Sequence, residues 1–178
     1  MEESNIMFKD LGLSDAMLKA LEKKGYGYPT TIQQEAIPCF MQWRDVIAKA
    51  PTGTGKTFAF GIPMIEHVDP EVKEVQGLIL APTRELAIQI GDELRGLLTY
   101  YSGIRVAVLY GGAGIVGQAK QLEKKPQIKA LKNKPQIVVA TPGRLMDHYN
   151  RKNIRLDKIQ TVVLDEADRC WTWDFSRM

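Results

Sequence analysis

The chain has 178 residues, 44% hydrophobic and 25% charged, a composition typical of a folded globular domain and not of a disordered or fibrous protein. Its net charge of +3 is mildly basic and does not by itself indicate nucleic-acid binding. No apolar stretch approaches the roughly 20 residues of a membrane-spanning helix, and residues 1–5 lack a signal-peptide core. Two cysteines without metal-ligand spacing suggest a reducing compartment, so we expect a cytoplasmic protein.

Two helices are predicted in the first part of the chain. Apolar residues recur at helical spacing after Ser14, which is a suitable N-cap. Thr30 or Thr31 caps a second helix, Ile32 to Met41, in which Pro38 introduces a kink or an early end. Glycines and a proline between the two helices predict a turn.

Short apolar runs predict the buried strands of one sheet. The runs are Val46–Ala48, Leu78–Leu80, Val106–Leu109, Ile137–Ala140 and Thr161–Leu164. Helical stretches separate most of them, chiefly Phe58–His67, Glu85–Tyr100 and Leu145–Tyr149. Near-continuous apolar strands that alternate with helices indicate an α/β domain with a mainly parallel sheet, covered on both faces.

Glycine-rich and polar clusters follow these runs. They are Ala50–Thr57, Ala81–Glu85, Gly111–Gly112, Thr141–Arg144 and Asp165–Asp168. Because ligands bind at the carboxyl ends of parallel strands, we expect the clusters to meet at one edge of the sheet. An ordinary turn would explain any one of them, and that alternative stays open for each cluster taken singly.

A phosphate-binding loop is predicted between the first run and the helix after it. It comprises Ala50, Pro51, Thr52, Gly53, Thr54, Gly55, Lys56 and Thr57. Its glycines let successive N–H groups point into one hollow, and the helix that starts near Lys56 adds the positive end of its dipole. Lys56 can reach the β- and γ-phosphates, and the Thr57 hydroxyl can ligate Mg²⁺. Ala50 replaces the usual glycine, and a plain turn with a chance lysine is the alternative.

Two acids directly after the last run extend this predicted site. We assign Asp165 to Mg²⁺, held through a water, and Glu166 to the attacking water. The predicted catalytic residues are therefore Glu166, Lys56 and Asp165. Acidic residues also end strands without any catalytic role, which is the alternative.

Together these motifs resemble the DEAD-box family of ATP-dependent RNA helicases. The resemblance rests on Asp165–Asp168, which reads Asp-Glu-Ala-Asp, and on the loop Ala50–Thr57. Further motifs follow the family's order: Gly25–Gln33 as the Q motif with Phe8 upstream, Pro82–Ala87 as motif Ia, Gly111–Gly112 as the double glycine and Thr141–Arg144 as motif Ib. The likeness covers nearly the whole chain.

The resemblance implies a three-layer α-β-α, RecA-like P-loop NTPase domain spanning 1–178. Residues 1–42 would form the Q-motif region and 43–178 the P-loop core. The family's Ser-Ala-Thr motif and second RecA-like domain, which supplies arginine fingers and half of the RNA cleft, are absent from the sequence. We therefore expect a monomer that binds ATP and weakly binds RNA without hydrolysis or unwinding. A non-catalytic nucleotide- or RNA-binding module is the alternative, and another P-loop NTPase is disfavoured by Gln33 with Phe8.

The resemblance also assigns an adenine site. The Gln33 amide offers both a donor and an acceptor, which suits the N6 and N7 edge of adenine. Phe8 and Tyr28 could stack on the base. A core position for Phe8 and turn packing for Tyr28 are the alternatives.

An RNA path is implied at the motifs after the strands. Its residues are Pro82, Thr83, Arg84, Gly112, Thr141, Pro142, Gly143 and Arg144. Hydroxyls, guanidiniums and backbone N–H groups suit phosphate and sugar, so binding would be independent of base sequence and would favour RNA. For Arg84 and Arg144, an intramolecular salt bridge or a helix cap is the alternative.

Other candidates have simpler interpretations. We expect His67 and His148 to be surface or packing residues, Trp43 to pack, and Cys39 to lie in a helix core. Residues 117–135 predict a solvated helix and loop. The stretch between Gly112 and Thr141 is longer than in the family that the chain resembles, and an insertion around 114–125 makes RNA contacts near Gly112 less certain.

The sequence after Arg169 departs from the family. It reads Cys-Trp-Thr-Trp-Asp-Phe where the family usually has Met-Leu-Asp-Met-Gly-Phe. Loss of one nucleotide from codons for the family's residues yields the residues found here. We therefore hypothesise a frameshift after Arg169 that makes 170–178 foreign, with natural divergence as the alternative.

Overall fold

The computed structural model describes residues 6–111 and 126–170, the last two without side chains. The chain divides into two compact units, Met1–Asp69 with Glu93–Ser102, and Pro70–Asp92 with Gly103–Met178. Among the described residues, no helix combines the length and apolarity needed to cross a bilayer. The prediction of one domain over 1–178 stays a prediction, and the tryptophans of the divergent tail lie outside the described residues.

Helices make up the first unit. They are α1 (Asp15–Lys23), α2 (Thr31–Met41) and α3 (Lys56–His67), with 3-10 turns at Phe8–Leu11 and Leu98–Tyr100. Ser14 caps α1 as predicted, because its hydroxyl accepts from Met17 N at 3.3 Å. α2 continues through Pro38 and packs along α3.

A hydrogen-bonded group ties the start of α1 to the last turn of α3. The Glu66 carboxylate accepts from Ser14 Oγ at 2.8 Å and from Ser14 N at 3.2 Å, and it also accepts from the Tyr101 hydroxyl. Burial, with the hydrogen bond to Glu66 second, raises the pKa of Tyr101 above its ordinary value. The protonated phenol donates to Glu66 of α3 and so helps to fix this helix.

Among its described residues, the second unit contains a four-stranded sheet in the order β2-β3-β1-β4, in which every pair of neighbours is parallel. The strands are β1 (Gly77–Leu80), β2 (Val106–Leu109), β3 (Ile137–Ala140) and β4 (Thr161–Leu164). The helices that follow strands are α4 (Arg84–Leu97), α5 (Pro142–Asn150) and α6 (Ala167–Cys170), and residues 126–132 are also helical. The predicted α/β class and parallel sheet are confirmed.

One face of the sheet packs into the core of this unit. The buried members are Val75, Leu78, Leu80, Ala107, Leu109, Leu131, Val138, Ala140, Leu145 and Ile154. All four residues of β1 and of β3 are buried, so both faces of these strands are covered. Such strands read as continuous apolar runs, which is why the sequence revealed them.

Two predictions about buried strands are wrong. The run Val46–Ala48 forms no strand with the described sheet, and Ile47 is fully exposed. An apolar triplet becomes a strand only where a neighbouring strand supplies hydrogen-bond partners, and none of the four described strands does so here. β4 exists but is not buried. It lies at the edge of the described sheet, and its alternate residues Val162 and Leu164 are 54% and 46% exposed.

The register of the sheet makes all four strands end at the same level. Their aligned last residues are Leu80, Leu109, Ala140 and Leu164. Three main-chain hydrogen bonds continue the pairing one residue further: Ala81 N to Ala140 O at 2.9 Å, Thr141 N to Leu109 O at 2.9 Å, and Asp165 N to Leu80 O at 3.0 Å. The segments after the strands therefore start side by side along one edge.

Candidate functional site

The predicted phosphate loop lies in the first unit, directly before α3. Gly53 and Gly55 adopt φ of +81° and +85°, the left-handed region that favours glycine. The Thr54 hydroxyl donates to Pro51 O at 2.7 Å and closes the loop on itself. Since α3 begins at Lys56, the free N–H groups and positive dipole end of a helix lie where the loop ends. This arrangement suits an anion.

Gln33 and Thr30 fasten the loop to the start of α2. Gln33 Nε2 donates to Gly55 O at 3.0 Å, and Thr30 Oγ1 donates to Thr54 O at 2.8 Å. Gln33 Oε1 accepts from Thr30 N at 3.0 Å, and the side chain is only 4% exposed. These bonds use one of the two N–H groups of the amide and one lone pair of its oxygen. Sequence reasoning missed this fastening, because the contact depends on how α2 packs along α3.

The two aromatic residues assigned to the base differ in exposure. Phe8 is 3% exposed, as the core alternative predicted, so its ring offers little surface to a ligand. Tyr28 is 59% exposed, and its ring is accessible. Nearby, Tyr26 packs edge-on against Phe58 of α3, with ring centroids 5.2 Å apart, which holds the turn against the helix.

Trp43 and His67 pack together beyond α2. Their rings stack with centroids 3.8 Å apart, although Trp43 remains 57% exposed. His67 Nε2 also lies 3.2 Å from Met41 O. The predicted packing role of both residues is confirmed, and Cys39 is a free, partly buried thiol in α2.

In the second unit, the segments after β1 and β2 contact each other. The Thr83 hydroxyl accepts from Leu86 N at 3.3 Å and so caps α4. The Arg84 guanidinium lies over the Tyr110 ring, 4.7 Å from its centroid. Sequence reasoning did not select Tyr110. The available signal was its position directly before Gly111, where an aromatic ring could support a neighbouring arginine.

Arg144 lies on α5, which starts directly after β3. Its side chain is 8% exposed, and Nη1 lies 3.6 Å from Asp147 Oδ2, so the predicted intramolecular alternative is present. Nη1 is buried and has no hydrogen-bond acceptor among the described residues. A Cβ built on Gly111 would meet Arg144 Nη2 at 3.2 Å. The guanidinium therefore lies against the Tyr110–Gly111 corner, the two residues directly after β2. Gly112 lies outside the described residues.

The predicted acids directly follow β4. Asp165 Oδ1 accepts from Glu166 N at 3.0 Å, which fixes the carboxylate at the strand end. Glu166 has φ of +48°, an uncommon conformation for a residue other than glycine and one found at functional sites. Among the residues that the structure describes, no cluster of three or more His, Cys, Asp or Glu is placed to hold a metal.

The structure thus builds two sets of contacts. In the first unit, Thr30 and Gln33 meet the loop at Thr54–Gly55. In the second unit, Arg84 and Arg144 meet the Tyr110–Gly111 corner. The sharing of one magnesium-bound nucleotide by Lys56 and Asp165 stays a prediction.

Comparison with known families decides the identity of this arrangement. The model for the DEAD/DEAH box helicase family matches residues 30–178. The chain belongs to the DEAD/DEAH box helicase family. The ATP-dependent RNA helicase CshA of Limosilactobacillus reuteri is 51% identical over 168 residues, which are 94% of this chain and 32% of that protein. The CshA of Geobacillus kaustophilus is 46% identical over 94% of this chain and 34% of its own length. The chain spans about a third of these relatives.

Solved DEAD-box structures share the fold. A DEAD box protein from Methanococcus jannaschii superposes with a TM-score of 0.81 at 41% identity, covering 94% of this chain and 43% of that chain. Dbp5 of S. cerevisiae, bound to RNA and ADP BeF3, gives 0.78 at 32% identity, covering 94% and 40% respectively. The predicted RecA-like α/β class is confirmed.

Gly55→Ala tests the fastening of the loop. An alanine at either Gly53 or Gly55 carries the left-handed strain of about 1–2 kcal/mol. Only at Gly55 would its Cβ also meet Gln33 Nε2 at 2.3 Å, whereas Gly53 has nothing within 4 Å. We expect Gly55→Ala to lower the free energy of unfolding by about 1–2 kcal/mol more than Gly53→Ala in urea titrations.

A double-mutant cycle separates the clash between the new Cβ and Gln33 from the backbone strain of an alanine at positive φ. In a Gln33→Ala background the obstructing amide is gone, so the extra cost of Gly55→Ala should disappear. Strictly additive costs would contradict the contact between Gln33 and the loop.

Proposed function

We propose that this chain is the ATP-binding first domain of a DEAD-box RNA helicase. The whole protein would couple ATP hydrolysis to local unwinding of RNA duplexes. The observation that carries the proposal is the loop before α3, with left-handed Gly53 and Gly55, closed by Thr54 and fastened by Gln33. Its N–H groups and the α3 dipole favour a polyphosphate.

Each residue of the nucleotide site has a proposed role. Lys56 neutralises charge on the β- and γ-phosphates, while Gln33 bonds adenine with its remaining N–H and lone pair. Tyr28 supplies an exposed ring for stacking on the base. Phe8 supports this region from the core.

Magnesium is the proposed metal. The Thr57 hydroxyl and the Asp165 carboxylate, through a water, would hold it, since Mg²⁺ prefers oxygen ligands and keeps waters. When bound, the ion would neutralise phosphate charge. Glu166 is proposed to orient the attacking water as a general base, held by the strained backbone at its own position.

RNA is the proposed partner of the sheet edge in the second unit. Hydroxyls of Thr83 and Thr141, the guanidiniums of Arg84 and Arg144, and the N–H of Gly143 would contact phosphate and sugar. Arg144 Nη1 is a buried donor without an acceptor among the described residues, and a phosphate oxygen would satisfy it. These groups are all proposed to contact phosphate or sugar, so the proposal is that the chain recognises the RNA backbone and not the base sequence. We further propose a cytoplasmic location.

A second candidate is a binding module without catalysis. The chain spans about a third of its helicase relatives, and the resemblance places the arginine fingers in another domain. Such a finger contributes about 10³–10⁵ in rate. The chain alone would then hold nucleotide and turn it over negligibly.

Lys56→Ala tests the nucleotide site. Losing the ammonium should weaken ATP binding about 10- to 100-fold, as expected for hydrogen bonds to charged groups. Fluorescence titration with a labelled ATP analogue measures this, and Lys49→Ala, an exposed lysine before the loop, is the matched control. Equal ATP affinity in the wild type and Lys56→Ala would refute the site. GTP binding as tight as ATP binding would refute the adenine role of Gln33.

Turnover separates the two candidates. We expect phosphate release by the 178-residue chain to stay at background with saturating ATP and oligouridylate, because the resemblance places the arginine fingers in another domain. A coupled phosphate assay measures it, with Glu166→Gln as the background control. RNA-stimulated release well above that control would show that the chain is catalytic by itself.

The salt dependence of RNA binding tests the RNA edge, the sheet edge that carries Thr83, Arg84, Thr141, Gly143 and Arg144. With about three to five phosphate contacts, log affinity for oligouridylate should fall against log salt with a slope of about −2 to −3.5. Arg84→Ala should flatten the slope by about 0.7, the value of one phosphate contact on a single strand. Arg155→Ala, an exposed arginine of the same unit, is the control. A flat response in the wild type would count against phosphate recognition.

A further inference from the structure

A buried hydrogen-bond relay ends at the Tyr110–Gly111 corner, which is contacted by two of the proposed RNA-binding residues, Arg84 and Arg144. Gln127 is 6% exposed and His148 1% exposed, and neither has a role in the proposed function so far. Gln127 Nε2 donates to Tyr110 O at 2.9 Å, while Gln127 Oε1 lies 3.4 Å from His148 Nε2. His148 Nδ1 lies 3.3 Å from Asn153 Nδ2.

The chemistry of these groups fixes the direction of the relay. An amide nitrogen only donates, so His148 Nδ1 accepts from Asn153. The proton of the neutral imidazole is then on Nε2, which donates to Gln127 Oε1. Gln127 in turn donates to the Tyr110 carbonyl. Asn153 is itself tied to α5, because its N–H donates to His148 O at 2.9 Å.

The relay and Arg144 act from one face of α5. Arg144 and His148 are four residues apart and so lie on the same side of the helix. Arg144 lies against Gly111, and His148 reaches Tyr110 through Gln127. From the other side, Arg84 lies over the Tyr110 ring. Two consecutive residues after β2 are therefore held by α5 and α4 at once.

We propose that Gln127 and His148 are positioning residues for RNA backbone binding, which they serve by fixing the Tyr110–Gly111 corner between Arg84 and Arg144. This inference rests on the proposed RNA edge. If the relay is broken, the Tyr110 carbonyl loses its donor and the corner is free to shift. Both arginines would then lose the geometry that places their donors at one phosphate track.

Gln127→Met breaks the relay and keeps the side-chain volume. Gln136→Met is the matched control, since Gln136 is also buried and doubly bonded, to Arg105 N and Val72 O, but lies at the opposite ends of the strands. We expect both variants to lower Tm by about 2–8 °C, because each loses buried hydrogen bonds. Only Gln127→Met should weaken oligouridylate binding, by about 5- to 10-fold, and flatten its salt slope by about 0.7.

The outcomes separate this inference from the proposed function. If Arg84→Ala weakens RNA binding but Gln127→Met behaves like Gln136→Met, the relay is merely structural and the inference is wrong. If neither Arg84→Ala nor Gln127→Met changes RNA affinity, the RNA edge itself is wrong. His148→Gln keeps a donor near the position of Nε2 and should restore most of the affinity that His148→Leu loses; equal losses would contradict the relay.

A measurement on the unaltered chain covers the case in which the variants do not fold. The chain has two histidines, so the ring nitrogens of His148 can be assigned by two-bond proton–nitrogen NMR. The relay predicts a neutral His148 with its proton on Nε2. A proton on Nδ1 would reverse the direction of the relay and overturn the proposal.

Discussion

The common level at which β1, β2, β3 and β4 end is the constraint on which the second unit depends. Parallel pairing in register places the segments after the strands side by side, and main-chain bonds extend the pairing to Ala81, Thr141 and Asp165. Residues distant in sequence can therefore form one surface. Arg84 follows β1 and Arg144 follows β3, and both contact the Tyr110–Gly111 corner that follows β2.

The first unit depends on a different constraint, the shape of the loop before α3. Left-handed glycines shape the loop, and side chains from α2 hold its carbonyls. Because Gln33 is buried and bonded to Gly55, the residue proposed to recognise adenine also supports the phosphate loop. Under the proposed function, base recognition and phosphate binding would be coupled through this single amide. At the far end of α3, the Ser14–Glu66–Tyr101 group fixes the same helix.

The sequence was sufficient to predict local features, such as apolar strands and the residue that caps a helix. It was insufficient to predict contacts that depend on how distant segments pack. β1 and β3 are buried on both faces, so their apolar runs were unambiguous, and Ser14 showed the start of α1. Val46–Ala48 has the same composition but no strand partner in the described sheet, and composition cannot show that. The contacts of Tyr110 with Arg84 and of Gln127 with Tyr110 could not be predicted, because each joins residues that are far apart along the chain.

Backbone NMR of the 178-residue chain, titrated with oligouridylate at low salt, tests most directly whether the level strand ends form the RNA surface. The account predicts that the amides of Thr83, Arg84, Tyr110, Gly111, Thr141 and Gly143 shift together. Amides at the opposite ends of the strands, at Arg105, Gln136 and Gln160, should stay unchanged. Shifts confined to those opposite ends, or scattered evenly over both, would contradict it.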